Sequence, residues 1–109
     1  MPQTLAQKIL QAHTDEAVQC DGQIVQCRVS MVLANDITGP LAIKSFRGMG
    51  AEKVFDKDRI ALVMDHFTPQ KDIDSANQVL ISRKFAEEQG ITHYYEVGCM
   101  GVEHALLPE

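Results

Sequence analysis

The chain has 109 residues, of which 45% are hydrophobic and 23% are charged, and its 10 basic against 15 acidic residues give a net charge of −5. This balance is typical of a folded globular protein and argues against disorder. The length allows one hydrophobic core but not two. The negative charge and the lack of a basic cluster argue against a nucleic-acid partner. No apolar run approaches the roughly 20 residues that cross a bilayer, and the start does not resemble a signal peptide, so we expect a cytoplasmic protein without a membrane partner.

The first half of the chain predicts a helix, a strand and a second helix. In TLAQKILQAH, Thr4 and Gln7 have the spacing of a capping box at the start of a short helix. CDGQIVQCRVSMVLAND contains a turn signal followed by alternating side chains, which predicts a strand around Val29. Pro40 is suited to the first turn of the next helix. The inner face of that helix is predicted to carry Leu41, Ile43 and Phe46.

The second half predicts two strands separated by the strongest helix of the chain. RIALVM and ITHYYEV have the composition of strands, and the helix DIDSANQVLISRKFAEEQ between them ends at Gly90. One side of this helix is predicted to carry Ile73, Ala76, Val79, Leu80 and Phe85. A last helical turn is expected near VEHALL. Alternation of strands and helices predicts a three-layer α/β fold with a mainly parallel sheet, as a single domain over residues 1–109.

Polar side chains follow each predicted strand. In parallel sheets, ligands bind beyond the carboxyl ends of the strands. The segments ANDITGP, MDHFTPQ and EVGCMGVEH should therefore meet at one edge, which would bring together Asp36, Thr38, Asp65, His66 and His104. Such a group is compatible with a divalent metal site, with acid–base or substrate-orienting chemistry, or with polar loops that have no chemistry. The residues alone leave these three alternatives open.

Four stretches of the chain together resemble the amino-terminal portion of the aconitase family. They are TLAQKILQAH, ITGPLAIKSFRGMGAEKVFD, ALVMDHFTPQ and FAEEQGITHYYEVGCMGVEHALLPE, and the resemblance extends over essentially the whole chain. Within the family, the large subunits of 3-isopropylmalate dehydratase and their homoaconitase-like relatives are the most similar. The resemblance implies a hydro-lyase of leucine biosynthesis that interconverts 2- and 3-isopropylmalate by dehydration and rehydration. Another hydroxy acid, as in homoaconitase or aconitase, and a non-catalytic binding module are the alternatives.

The resemblance also implies roles for the residues at the predicted edge. His104 would donate a proton or hydrogen bond to the departing hydroxyl, and Asp65 and His66 would keep that network oriented. Asp36 and Thr38 would contribute to substrate binding, and none of these residues is expected to ligate a metal. Aconitase itself has a carboxylate-binding glutamine where this chain has Pro40, which favours a less polar substrate such as isopropylmalate.

The family uses a 4Fe–4S cluster whose open iron acts as a Lewis acid. Cys20, Cys27 and Cys99 have no Cys-x-x-Cys spacing, and the family's cluster cysteines belong to a downstream segment. We therefore expect the chain to be a fragment of an aconitase-like iron–sulfur domain that binds no cluster and is inactive alone. In the intact enzyme the expected partners are a small hydroxy-dicarboxylic acid and a separate small subunit. Apolar residues such as Leu106 and Leu107 are expected to promote self-association of the fragment.

Overall fold

The computed structural model describes residues 2–99 and 101–108. The chain divides into two compact units, Met1–Ser30 and Met31–Glu109, called here the N-terminal unit and the sheet unit. The organisation of residues 1–109 as one domain stays a prediction, and the two units are described separately.

The N-terminal unit contains one helix, α1 (Leu5–Ala12), which begins with the predicted capping box. The Thr4 hydroxyl accepts a hydrogen bond from the Gln7 N–H at 3.2 Å, and the Gln7 side chain accepts one from the Thr4 N–H at 2.9 Å. These bonds satisfy two backbone donors that a helix start leaves without partners. At the other end, the His13 ring lies 2.8 Å from the Ile9 carbonyl oxygen and 2.6 Å from the Ser30 hydroxyl.

The strand predicted over CDGQIVQCRVSMVLAND forms only at its carboxyl end, as Val32–Asn35, and the part around Val29 is wrong. Residues 24–30 have no regular secondary structure, and the first strand begins only at Val32. In the part of this unit that the structure describes, the one hydrogen bond between the backbone of this stretch and other backbone is from the Arg28 N–H to the His13 carbonyl at 2.7 Å. Alternating side chains describe the two faces of an extended chain, but a strand also requires a neighbouring strand to pair with.

The sheet unit is built on three parallel strands in the order β1 (Val32–Asn35), β2 (Ile60–Val63) and β3 (His93–Tyr95). In the pairing register, Val32 lies opposite Ile60 and Ala61 lies opposite His93. Every residue of β2 is buried, which explains its continuous apolar sequence, because a central parallel strand is covered on both faces. The predicted parallel sheet is thus confirmed.

Helices flank this sheet, as predicted for the three-layer α/β class. They are α2 (Thr38–Gly48), α3 (Ile73–Gln89) and α4 (Glu103–Leu106), and a short 3₁₀ helix (Lys57–Arg59) precedes β2. The Asp72 side chain caps α3 by accepting from the Ser75 N–H at 2.8 Å, and Gly90 ends that helix with a φ of +66°. Among the residues described, no helix is both long enough and apolar enough to cross a membrane.

The core of the sheet unit lies between β2 and the two longer helices. Ile60, Leu62 and Met64 pack with Ile43 of α2 and with residues of α3 that include Phe85. The rings of Phe46 and Phe85 meet edge to face with centroids 5.6 Å apart, a favoured geometry for aromatic pairs. Ile43, Phe46, Val79 and Phe85 therefore occupy the inner faces on which they were predicted.

The inner-face position predicted for four other residues is wrong, because Leu41, Ile73, Ala76 and Leu80 are exposed. The buried face of α3 instead contains Ser75 and Ser82. The Ser82 hydroxyl donates to the Gln78 carbonyl oxygen at 3.1 Å, so its burial leaves no unsatisfied donor. A Cβ atom added at Gly39 would lie 3.4 Å from the Ser82 hydroxyl oxygen. Small residues therefore allow α2 and α3 to approach closely, and hydropathy does not detect such a face.

Candidate functional site

The chain leaves all three strands at the same edge of the sheet. Asn35 ends β1, Val63 ends β2 and Tyr95 ends β3. The residues that follow these ends include every side chain predicted for the site, since Asp36, Asp65 and His66 come directly after strands and α4 follows β3. Both the parallel topology and the position of the candidate site relative to it were predicted from sequence.

Asp36 is fully buried and fixes the loop that follows β2. One carboxylate oxygen accepts the His66 N–H at 3.1 Å, and the other accepts the Phe67 N–H at 2.6 Å. A carboxylate without partners would be very costly at such a position, and these two charge-assisted bonds offset that cost. Asp36 therefore holds the backbone of residues 66 and 67 and, with it, the position from which the His66 ring extends.

Asp65 forms two hydrogen bonds that define the geometry of the site. Its Oδ1 lies 2.6 Å from His66 Nδ1, and its Oδ2 accepts the Glu103 N–H at 2.9 Å. The Asp65 side chain is 10% exposed and that of His66 is 41% exposed. Because Nδ1 of His66 faces Asp65, Nε2 is the ring nitrogen that remains for a ligand. A half-buried carboxylate thus fixes the orientation of a solvent-accessible imidazole.

The contacts of this pair shift both of its ionisation equilibria. Burial raises the pKa of Asp65, but the hydrogen bonds from the Glu103 N–H and the His66 ring outweigh it and hold the pKa below the usual aspartate value. The hydrogen bond with Asp65 raises the pKa of His66 above its ordinary value and outweighs the opposing effect of burial. The negative charges of Asp65, Asp36 and Glu103 add to that increase. His66 therefore remains protonated to a higher pH than an isolated histidine.

Glu103 connects α4 to the end of β1. Its carboxylate Oε1 accepts from Asn35 Nδ2 at 3.1 Å, and the residue is only 5% exposed. The same oxygen lies 3.4 Å from Nε2 of His104, whose side chain is 82% exposed.

Thr38 donates its N–H and hydroxyl to Asn35 Oδ1 at 2.9 and 3.2 Å, and its hydroxyl oxygen accepts the Asn35 N–H at 3.1 Å. Thr38 therefore organises the turn after β1.

The structure brings the predicted residues together to different degrees. The ligand-type atoms of Asp36, Asp65 and His66 lie within 4.8 Å of one another. His104 is on the same edge and contacts Glu103, which is hydrogen-bonded to Asp65. Thr38 is hydrogen-bonded to Asn35, which in turn contacts Glu103. Sequence reasoning missed both Asn35 and Glu103. The Asn-x-x-Thr spacing is a signal for a side-chain-capped turn that could have indicated Asn35.

The hydrogen bonding favours orientation of His66 over metal ligation. Each carboxylate oxygen of Asp36 and Asp65 already accepts a hydrogen bond, and His66 Nδ1 is directed at Asp65. The sheet unit by itself does not supply the three or four converging thiolates that a 4Fe–4S cluster requires. The sheet unit has one cysteine, Cys99, whereas Cys20 and Cys27 belong to the N-terminal unit.

Curated proteins are similar to this chain along its entire length. It is 85% identical to the 3-isopropylmalate dehydratase large subunit of Desulfovibrio desulfuricans over all 109 residues, which cover 26% of that protein. It is 76% identical to the protein of the same name from Nitratidesulfovibrio vulgaris and 54% identical to that from Moorella thermoacetica, with the same coverage of both chains. The chain is a relative of these large subunits.

These matches confirm the resemblance to 3-isopropylmalate dehydratase large subunits that was found in the sequence. The chain spans about a quarter of the length of the dehydratase large subunits that it matches. The names of these proteins indicate a dehydratase made of subunits of different size. No family model matches the chain.

Proposed function

We propose that this chain forms part of the substrate-facing edge of a hydro-lyase large subunit that interconverts 2- and 3-isopropylmalate. The observation that carries the proposal is the Asp65–His66 pair, in which a half-buried carboxylate held by the Glu103 N–H orients an exposed imidazole. This pair lies at the carboxyl edge of a parallel sheet, where such folds bind ligands. The similarity to dehydratase large subunits along the whole chain supports the same reaction class.

Dehydration of a hydroxy acid requires a proton for the departing hydroxyl and a base that removes the proton of the neighbouring carbon as the double bond forms. Rehydration reverses both transfers, and only the transfer at the hydroxyl is assigned to a residue of this chain. Histidine can donate and take back that proton near neutral pH, typically with a rate contribution of about 10²–10⁴-fold. We propose that His104 supplies this proton or hydrogen bond. His66, oriented by Asp65 through Nδ1, would use Nε2 to hold a substrate oxygen. The raised pKa of His66 favours the protonated ring, which suits an anionic substrate.

Asp36 and Thr38 act on the substrate indirectly in this proposal. Asp36 is buried and both of its oxygens accept backbone N–H groups, so its contribution is to hold the His66 loop. Thr38 holds Asn35, which in turn contacts Glu103. The same large subunit is proposed to use a 4Fe–4S cluster and a separate small subunit, with the cluster ligands supplied from outside the cysteines of this chain.

The test measures kcat of the His66→Ala variant in the complete large subunit assembled with its small subunit. We expect kcat to fall by about 100-fold in His66→Ala, while thermal stability changes little because the exposed ring is not part of the hydrophobic core. The matched control is His93→Gln, which changes a histidine of β3 outside this group and should retain kcat. Wild-type turnover in His66→Ala would contradict the proposal. Loss of turnover in the control as well would show that the assay reports folding.

A further inference from the structure

The best candidate outside the residues already given a role is Glu103. A carboxylate that is 5% exposed is unusual unless its charge is paired or hydrogen-bonded. Glu103 meets this condition through Asn35 Nδ2 at 3.1 Å and through His104 Nε2 at 3.4 Å, both at the same carboxylate oxygen. Its backbone N–H makes a separate contact, with Asp65 Oδ2 at 2.9 Å. One residue therefore contacts a member of each predicted catalytic segment.

We propose that Glu103 is a positioning residue that sets the placement of both histidines of the site. It acts on His104 directly, through the carboxylate beside Nε2. It acts on His66 in two ways, through the N–H that fixes Asp65 and through the negative charge of its side chain. The inference rests on the proposed function of this edge and identifies how its two histidines are coupled. Two carboxylate–histidine pairs, each made of adjacent residues in the sequence, are thereby connected by a single hydrogen bond.

The anchor of this arrangement is Asn35 at the end of β1. Its Oδ1 accepts from the Ile37 N–H at 2.9 Å and from Thr38, so the side-chain amide has a fixed orientation with Nδ2 directed at Glu103. Asparagine is required for this geometry because aspartate would place a second carboxylate against that of Glu103. The end of a sheet strand is a rigid support for a residue that must hold others within fractions of an ångström.

The charge of Glu103 also acts on His66. The titratable groups that face the His66 ring are Asp65, Asp36 and Glu103, and all three favour its protonated form. Replacement of Glu103 by glutamine keeps the backbone N–H and a side-chain oxygen for Asn35 but removes the negative charge. This substitution therefore separates the electrostatic role of Glu103 from its contribution to packing.

The first arm of the test is an NMR titration of the His66 ring in the 109-residue chain, wild type against Glu103→Gln. We expect the His66 midpoint to move to lower pH in the variant, because one of three facing negative charges is lost. Glu87→Gln, which removes a charge from an exposed position on α3, is the matched control and should leave the midpoint unchanged. An unchanged His66 midpoint in Glu103→Gln would overturn the proposal.

The second arm measures kcat and KM against pH for Glu103→Gln in the complete large subunit with its small subunit. We expect kcat to fall by about 10- to 100-fold, as for other losses of positioning, and its pH profile to shift in the same direction as the titration. The double variant Asn35→Asp with Glu103→Gln restores the hydrogen bond with its donor and acceptor exchanged. It should recover the stability lost in Asn35→Asp alone but not the wild-type kcat. A purely structural role would restore both, which would refute the inference.

The two arms fail in different ways. If the wild-type complex did not interconvert the isopropylmalates, the proposed function would be wrong, while the titration would still decide whether Glu103 acts on His66. If turnover were normal in Glu103→Gln and the titration unchanged, the function would stand and the positioning role would not.

Discussion

The most direct test of the site geometry is the replacement of Asp36 by asparagine. Both oxygens of the buried carboxylate accept backbone N–H groups, from His66 and from Phe67. Asparagine can keep one of these bonds, but its amide group presents a donor to the other N–H. The variant therefore exchanges two charge-assisted hydrogen bonds for one neutral bond and leaves a buried donor without an acceptor.

The magnitude follows from these contacts. Hydrogen bonds to a charged group contribute about 1.5–3 kcal/mol each, and a neutral bond contributes about 1 kcal/mol. The loss of roughly 3–6 kcal/mol is reduced by the remaining neutral bond and by the lower cost of burying an uncharged group. We expect Asp36→Asn to lower the free energy of unfolding of the sheet unit by about 2–4 kcal/mol, a large part of the 5–15 kcal/mol typical of a domain.

Tyrosine fluorescence during urea unfolding measures this loss in the appropriate unit. The chain has no tryptophan and two tyrosines, Tyr94 and Tyr95, which both lie in β3. Hydrogen exchange at the amides of His66 and Phe67 should become faster in the variant, which locates the effect. The control is Asp74→Asn in the first turn of α3, where an exposed acidic residue contributes less than about 1 kcal/mol. A loss below about 0.5 kcal/mol in Asp36→Asn, with both amides still protected, would refute the reasoning.

Three further outcomes are expected in the same unit. Asp65→Asn should lower the pKa of His66 in an NMR titration, because Asp65 raises that pKa in the wild type. A pKa that is higher in the folded than in the unfolded state stabilises the folded protein at low pH. The extra stability that the wild type gains from protonated His66 should therefore be lost as the pH rises through the folded-state pKa. Phe85→Ala should cost about 3–5 kcal/mol in urea unfolding, because it removes a buried ring from the core, and a cost below about 1 kcal/mol would contradict that packing. Gly90→Ala should cost about 1 kcal/mol, because Gly90 has a φ of +66°, whereas Gly48→Ala in α2 should be neutral or stabilising by the same measurement.

The sequence predicted the fold correctly where a local pattern, such as an apolar run or a glycine, matched the place of that segment in the sheet or helix. The run Ile60–Val63 is apolar on both faces because it is the central strand, and Gly90 marks a helix end because only glycine readily adopts its backbone angles. The failures have physical causes. The buried face of α3 uses Ser75 and Ser82, so the apolar residues Ile73 and Leu80 indicated the wrong side.

The candidate site was predicted from the alternation of strands and helices, which places Asp65 and His66 at a ligand-binding edge. Asn35 and Glu103 were missed for a different reason. Their importance comes from a contact between residues 68 positions apart in the sequence, and spacing within a single segment carries no information about such a pair. Long-range polar contacts therefore define the part of the site that required the structure.

The two hydrogen bonds accepted by Asp36 have a consequence for which sequence changes this loop can accept. Asp36 binds the main-chain amides at positions 66 and 67, not their side chains. Substitution at Phe67 would leave its N–H in place, unless proline were introduced. Insertion or deletion of a single residue between the end of β2 at Val63 and these amides would instead present different amides to Asp36 and would move Asp65 away from the Glu103 N–H. The loop is thus permissive in composition at position 67 and constrained in length.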